Sequence, residues 1–216
     1  MVRLRIVADD GRSPAQRAQD LHRARDRPEA REQLAAVLDP LRDAQRCLEA
    51  ALADADPDAV AIPSRFWQLL DQAYLALDRY LADLLHTAAI DPSCGPRCSA
   101  CCTDLPPILP IEGLRMIRAL SQRDDGPRRL QRAIEQTRAF QEVLRAHTRS
   151  TAPPDATDPG YREAQIAWRR LGHPCPVLGD DGNCGAYESR PLSCRAHIHV
   201  EDPAHCEPGS PRFLIA

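Results

Sequence analysis

Nine cysteines stand in this chain of 216 residues, and seven of them fall in two short runs, SCGPRCSACC from Ser93 to Cys102 and HPCPVLGDDGNCGAYESRPLSCRAH from His173 to His197. Thiolates are soft ligands, and sites built from sulfur select zinc or iron–sulfur clusters over magnesium or calcium. The upstream run offers Cys94, Cys98, Cys101 and Cys102. The downstream run offers Cys175, Cys184 and Cys194, and Cys206, in DPAHCEPG, would supply an eighth sulfur. Eight sulfurs complete two four-coordinate centres; seven leave one position open, and an open position separates a catalytic metal site from a structural one. Neighbouring side chains rarely point into one small site, so Cys101 and Cys102 either serve two metals or bridge them. In every case the two runs, more than seventy residues apart, must meet in space.

Other residues near the sulfurs carry chemistry of their own. His197 and His199 follow Cys194 closely and either could replace a sulfur, although histidines on extended segments more often bind nothing; His173 and His205 have the same standing. Arg190 and Arg195 flank Cys194, where positive charge would favour the thiolate and steady a net-negative metal–thiolate centre; the competing reading is an ion pair to Glu188 or Glu112. Glu112 is a support for the ligands, an oxygen ligand, or a first-turn helix acid. Cys47, alone on an apolar helix face, reads as a small buried hydrophobe. Tyr187 reads as core, and Arg128, Arg129 and Arg132 as a solvated helix face.

The two runs together resemble the YkgJ-type cysteine-cluster proteins, the CxxCxxCC zinc- or iron-chelating domain. The downstream pattern of that family appears here as Cys175, Pro176, Leu178, Gly182, Cys184, Tyr187, Arg190, Pro191, Cys194 and Arg195. Upstream, Cys98, Cys101 and Cys102 keep the family spacing, while Cys94 and Cys98 are separated by one residue more than is usual. The acidic residue that follows the CC pair would be Glu112. The resemblance runs from near Asp91 to Cys206 and implies chelation. It makes Cys94, Cys98, Cys101, Cys102, Cys175, Cys184, Cys194 and Cys206 the expected metal ligands, with Arg190, Arg195 and Glu112 around the bound group. The expected cofactor is an iron–sulfur cluster of the 4Fe–4S type, or zinc. A segment of this kind also occurs in flagellin lysine-N-methylases, so redox or protein-modification chemistry is a conceivable use.

Composition narrows the alternatives. A net charge of −3 suits neither a general nucleic-acid binder nor an anionic membrane surface, and 43% apolar residues suffice for a core. All basic side chains other than histidine are arginine, a mark of GC-rich coding rather than of function. The first residues, MVRLRIVADDGR, lack the apolar run of a secretion signal, and no window approaches the roughly 20 apolar residues of a membrane span. A cytoplasmic protein is expected, and there cysteine clusters more often hold metal than form disulfides. Phosphate-loop, dinucleotide, nucleophile-elbow and HExxH motifs are missing. Two other functions stand beside chelation: a metal-dependent enzyme with an open coordination position, and a metal-free thiol–disulfide protein using Cys98 and Cys101. The second leaves the downstream run unexplained.

The elements that must position the sulfurs read as helices. Residues 1–12 alternate as a short strand or an arm. Ser13, Pro14 and Gln16 make a helix start, running to Pro28. A second helix begins at Pro28, and Asp39-Pro40 reads as a break before another over 40–53. Residues 54–63 form a linker. Residues 63–88 carry Phe66, Leu69, Leu70, Ala73, Leu77, Tyr80, Leu81 and Leu84 at helical spacing and lead straight to the first cysteines. Further helices are expected over 111–123, carrying Glu112, over 127–149, burying Leu130, Ala133, Ile134, Thr137, Phe140 and Leu144, and over 160–171, ending at Gly172. STAPPDATDPG is a surface loop, and Asp181-Gly182 a tight turn of a small hairpin. The expected fold is mainly α: a helical bundle scaffold with an irregular cysteine-rich region and at most a small β-hairpin. It divides into a helical segment over 1–90 and a cysteine-cluster domain over 91–216, packed as one unit.

Overall fold

The computed structural model describes residues 11–53, 61–92, 98–104, 106, 108–148 and 159–198. The fold is mainly α, as expected. Among the described residues the helices are α1 (Pro14–Arg25), α2 (Pro28–Ala53), α3 (Ser64–Thr87), α4 (Pro110–Ser121), α5 (Gly126–His147), α6 (Pro159–Leu171) and α7 (Leu192–Ala196), with a short 3-10 turn at Tyr187–Ser189. The expected arm at 1–12, the linker at 54–63 and the STAPPDATDPG loop fall largely outside the described residues.

Helix α1 starts as its residues dictate. Ser13 accepts from the amide of Gln16, whose side chain reaches back to the Ser13 amide. Helix α2 corrects the expected break: it runs through Pro40 without interruption. An interior proline costs roughly 3 kcal/mol, and packing offsets it. Val37, Leu41 and Ala44 are buried on both sides of the proline, and Cys47 and Leu48 continue the stripe against the same core. Each fully buried apolar side chain contributes about 1.5–3 kcal/mol, so two such contacts suffice to hold the helix through.

The partner surface is α3, where Phe66, Leu69, Leu70, Ala73, Leu77 and Tyr80 form the principal core with α2 and with Ile111 of α4. The end of α3 is fixed where it must deliver the chain to the cysteines. The Ile90 amide donates to the Leu85 carbonyl, Ala89 takes a left-handed φ of +52°, and the buried Ile90 plugs against Ala24 of α1. The Arg12 guanidinium donates to the carbonyls of Ala88 and Ala89, satisfying acceptors that the helix end leaves over.

Helices α5 and α6 form a second hairpin. Trp168, buried on α6, meets the Phe140 ring edge-on with 5.7 Å between centroids. The expected stripe on α5 is only half realised: Leu130, Ala133, Phe140 and Leu144 are half-buried, whereas Ile134 and Thr137 are exposed. The buried side chain of that helix is Arg129, so the reading of Arg129 as part of a solvated face is overturned. Arg128 does face solvent. Helix α6 ends at Gly172, whose φ is +67°.

Leu70→Ala is expected to lower stability by about 2–5 kcal/mol in chemical denaturation. Leu75→Ala, on the same helix but 57% exposed, should stay within about 0.5 kcal/mol of the parent.

Candidate metal centre

The downstream cysteines are arranged by a tight reversal of the chain. The Gly179 amide donates to the Asn183 carbonyl at 2.8 Å and the Gly185 amide to the Val177 carbonyl at 2.8 Å. Leu178 and Cys184 pair as one antiparallel bridge. Gly182, at a φ of +75°, takes the left-handed turn position. This is the expected small hairpin at its smallest, and it sets Cys175 and Cys184 side by side against Leu120, Val177 and Ala186. Arg129 secures it from α5, donating to the Val177 carbonyl at 2.7 Å while pairing with Asp125 at 2.6 Å. A Cβ at Gly185 would stand 3.0 Å from the Val177 carbonyl oxygen and 3.1 Å from the Arg129 guanidinium carbon, so a larger residue there would have to push this contact apart by a few tenths of an ångström.

Cys194 is placed by α7, which docks on α3 and α4. Arg195 points into the scaffold and grips Asp78 of α3 through one nitrogen at 2.6 and 2.7 Å, while its other nitrogen donates to the Glu188 carbonyl. Its guanidinium lies over the Tyr74 ring at 4.9 Å, and Arg115 of α4 lies over the same ring at 3.9 Å. The ion-pair partner of Arg195 is thus Asp78, and neither Glu188 nor Glu112 supplies the carboxylate. Glu112 is buried and engaged by protein: it accepts from the Leu192 amide at 2.6 Å, the Leu109 amide at 2.8 Å and the Tyr74 hydroxyl at 3.3 Å. Burial, followed by the charge of Glu112, pushes the Tyr74 hydroxyl well above its ordinary value and keeps it protonated.

The upstream cysteines sit on two successive turns, with the Cys102 amide donating to Ser99 at 2.9 Å and the Asp104 amide to Cys101 at 3.0 Å. The two runs meet there. The Cys175 amide donates to the Cys102 carbonyl at 2.5 Å, a backbone bond across the long sequence gap.

Thiols from both runs act on one another's proton affinities. Hydrogen bonding to Cys101, then burial, then the charges of Cys101, Cys175 and Cys184 drive the Cys102 thiol far up. Cys101 goes down, chiefly because the Cys102 thiol donates to it, although burial and the charges of Asp104 and Cys98 oppose this. Burial and the charges of Cys175, Cys101 and Cys184 push Cys194 up to about 12, and the positive charge of Arg190 partly opposes them. Burial also raises Cys175, against the amides of Val177 and Leu178, which favour its thiolate. Cys98, Cys101, Cys102, Cys175, Cys184 and Cys194 therefore feel one another directly or through a shared neighbour. Among the described residues, no three His, Cys, Asp or Glu side chains already stand as ligands around one point.

The remaining candidates fall around this neighbourhood. Arg190 stacks on the Tyr187 ring at 4.2 Å, which leaves Tyr187 half in solvent rather than in the core. His197 is exposed. Burial pushes the Asp104 carboxyl above its ordinary value, and the charges of Arg169 and His197 partly oppose this. The His173 ring lies against Trp168 at 5.0 Å between centroids. Cys47 packs against the α2–α3 core away from the other thiols, as a small hydrophobe would. Cys94, Cys206, His199 and His205 lie outside the described residues. Sequence reasoning missed Tyr74 and Asp78, one turn apart on α3; a polar pair beside an apolar stripe was the available signal. It also missed Asp104, which pairs with Arg169 of α6 at 2.7 Å.

The donor set fits a thiophilic metal. Half-buried thiols that shift one another's proton affinity, with backbone amides aimed at one of them, suit a cation that takes the thiolate form. Among known proteins, a family model described as "CxxCxxCC: Putative zinc- or iron-chelating domain" matches residues 93–208. No curated protein and no solved structure matches the chain.

Arg195→Ala removes charged hydrogen bonds worth about 1.5–3 kcal/mol, and should lower the denaturation midpoint and speed labelling of Cys194 by a thiol reagent. Arg195→Lys should recover only part, because an ammonium reaches fewer acceptors than the planar guanidinium.

Proposed function

Since the chain belongs to the CxxCxxCC family, whose description is one of zinc or iron chelation, we propose that it is a metal-binding protein whose ligands come from both cysteine runs. The observation that carries this reading is the meeting of those runs at the Cys102–Cys175 backbone bond, with thiols from both sides altering one another's proton affinity. Cys98, Cys101, Cys102, Cys175, Cys184 and Cys194 are the proposed ligands within the described residues, and Cys94 and Cys206 complete the set. Four of these sulfurs suffice for a zinc site or a 4Fe–4S cluster, and eight for two such centres.

A bound metal would supply the positive charge that lets these half-buried thiols ionise. The protein's own residues do the rest. The amides of Val177 and Leu178 favour the thiolate of Cys175, and Arg190 favours that of Cys194. Glu112 and Arg195 act by holding α7, and with it Cys194, on the scaffold. No helix among the described residues is long and apolar enough to cross a membrane. The division into a helical segment over 1–90 and a metal-binding part over 91–216 is proposed as functional, the first serving as the base on which the second is built.

Purification without oxygen, followed by elemental analysis and an absorbance spectrum, tests the reading and separates the metals: a brown protein with iron and sulfide, or a colourless one with zinc. Cys101→Ser and Cys184→Ser should each lower metal per chain several-fold, and Cys47→Ser should leave it unchanged. Loss of metal from the Cys47 variant alone would overturn the ligand assignment.

A further inference from the structure

We infer that Asp104 and Arg169 form a latch that fastens the upstream cysteine run to α6 and so holds Cys101 and Cys102 in register with the downstream sulfurs. The inference rests on the metal-binding reading but names residues outside its ligand set. Residues 98–104 are two turns, without a helix or sheet ladder to hold their thiols in place. Among the contacts of the described residues, the Cys102 carbonyl accepts from the Cys175 amide, and the Asp104 carboxylate stands 2.7 Å from Arg169 Nε as an ion pair rather than an aligned hydrogen bond. The ion pair is well shielded, with side chains 23% and 13% exposed.

The anchor is packed into the α5–α6 hairpin. Arg169 follows Trp168, which is 2% exposed and packed edge-on against Phe140 of α5. From α5, Arg129 holds the Val177 carbonyl and Gln136 the Pro174 carbonyl at 2.8 Å. The α5–α6 hairpin therefore grips the downstream run through one helix and the upstream run through the other. Charge explains why the grip is an ion pair. A carboxylate two residues beyond Cys102 would repel a thiolate centre, and the guanidinium cancels that charge while using it as a handle.

The test uses the full chain, first without metal. Asp104→Asn, Arg169→Gln and the double variant are labelled with a bulky maleimide, and labelling of Cys101 and Cys102 is read by peptide mass spectrometry. Zinc affinity is then measured by competition with a chromophoric chelator. Each single variant should label several-fold faster and bind zinc about 10–100-fold more weakly. The double variant should lose no more than either single, since both remove one interaction. Arg169→Lys should recover part of the loss, and the unfolding midpoint of the metal-free chain should not move. Labelling at the parent rate, additive losses, or a fall in midpoint like that of Leu70→Ala would each overturn the latch. If the parent itself takes up neither zinc nor iron, the metal-binding reading fails, while the labelling comparison still decides the latch.

Discussion

Half-buried thiols brought near one another resist ionisation, because each thiolate raises the cost of the next where charge is screened less than in bulk water. This constraint shapes the cysteine-rich half of the molecule. Cys102 is driven far up and Cys194 to about 12, while Cys101 is lowered chiefly because its neighbour donates to it. A chain that places such groups together must compensate them. Among the described residues, amides favour the thiolate of Cys175 and the Arg190 guanidinium that of Cys194. A bound cation would supply the remainder, and metal chelation therefore accounts for the arrangement better than a dithiol exchange that would need only Cys98 and Cys101.

The helices serve that arrangement from two sides. The α2–α3 hairpin is the base, with most of the apolar core, and it presents Tyr74 and Asp78 as the seat on which α7 sits through Arg195. Glu112 closes the same junction, joining the starts of α4 and α7. On the other side, α5 and α6 hold the irregular segments by their backbone carbonyls and by Asp104. Irregular chain of this kind has few internal hydrogen bonds, and arginines from neighbouring helices take their place.

Much of this was legible in the residues. The apolar stripe of α3, the Ser13 start of α1, the glycine at the end of α6 and the Asp181-Gly182 turn all rest on local physics, and each stands where expected. Pro40 was misread because its local penalty is opposed by tertiary packing on α3, which a linear pattern does not carry. Arg129 was misread for a similar reason: an arginine looks solvated until a carbonyl such as that of Val177 is brought to it across the fold. That the two cysteine runs meet, as they do at the Cys102–Cys175 backbone bond, was inferable from their residue types and from the resemblance they carry. Their supports, Asp78, Asp104 and Arg169, were not, because each gains its role from a partner distant in sequence.

X-ray absorption at the metal edge of the anaerobically purified chain tests the central claim most directly. Sulfur scatterers filling the first shell, at about 2.3 Å for zinc, are expected, with sulfur lost when a cysteine from either run is replaced. A first shell of oxygen and nitrogen, or a sulfur shell untouched by replacing cysteines of one run, would contradict a centre shared between the two runs.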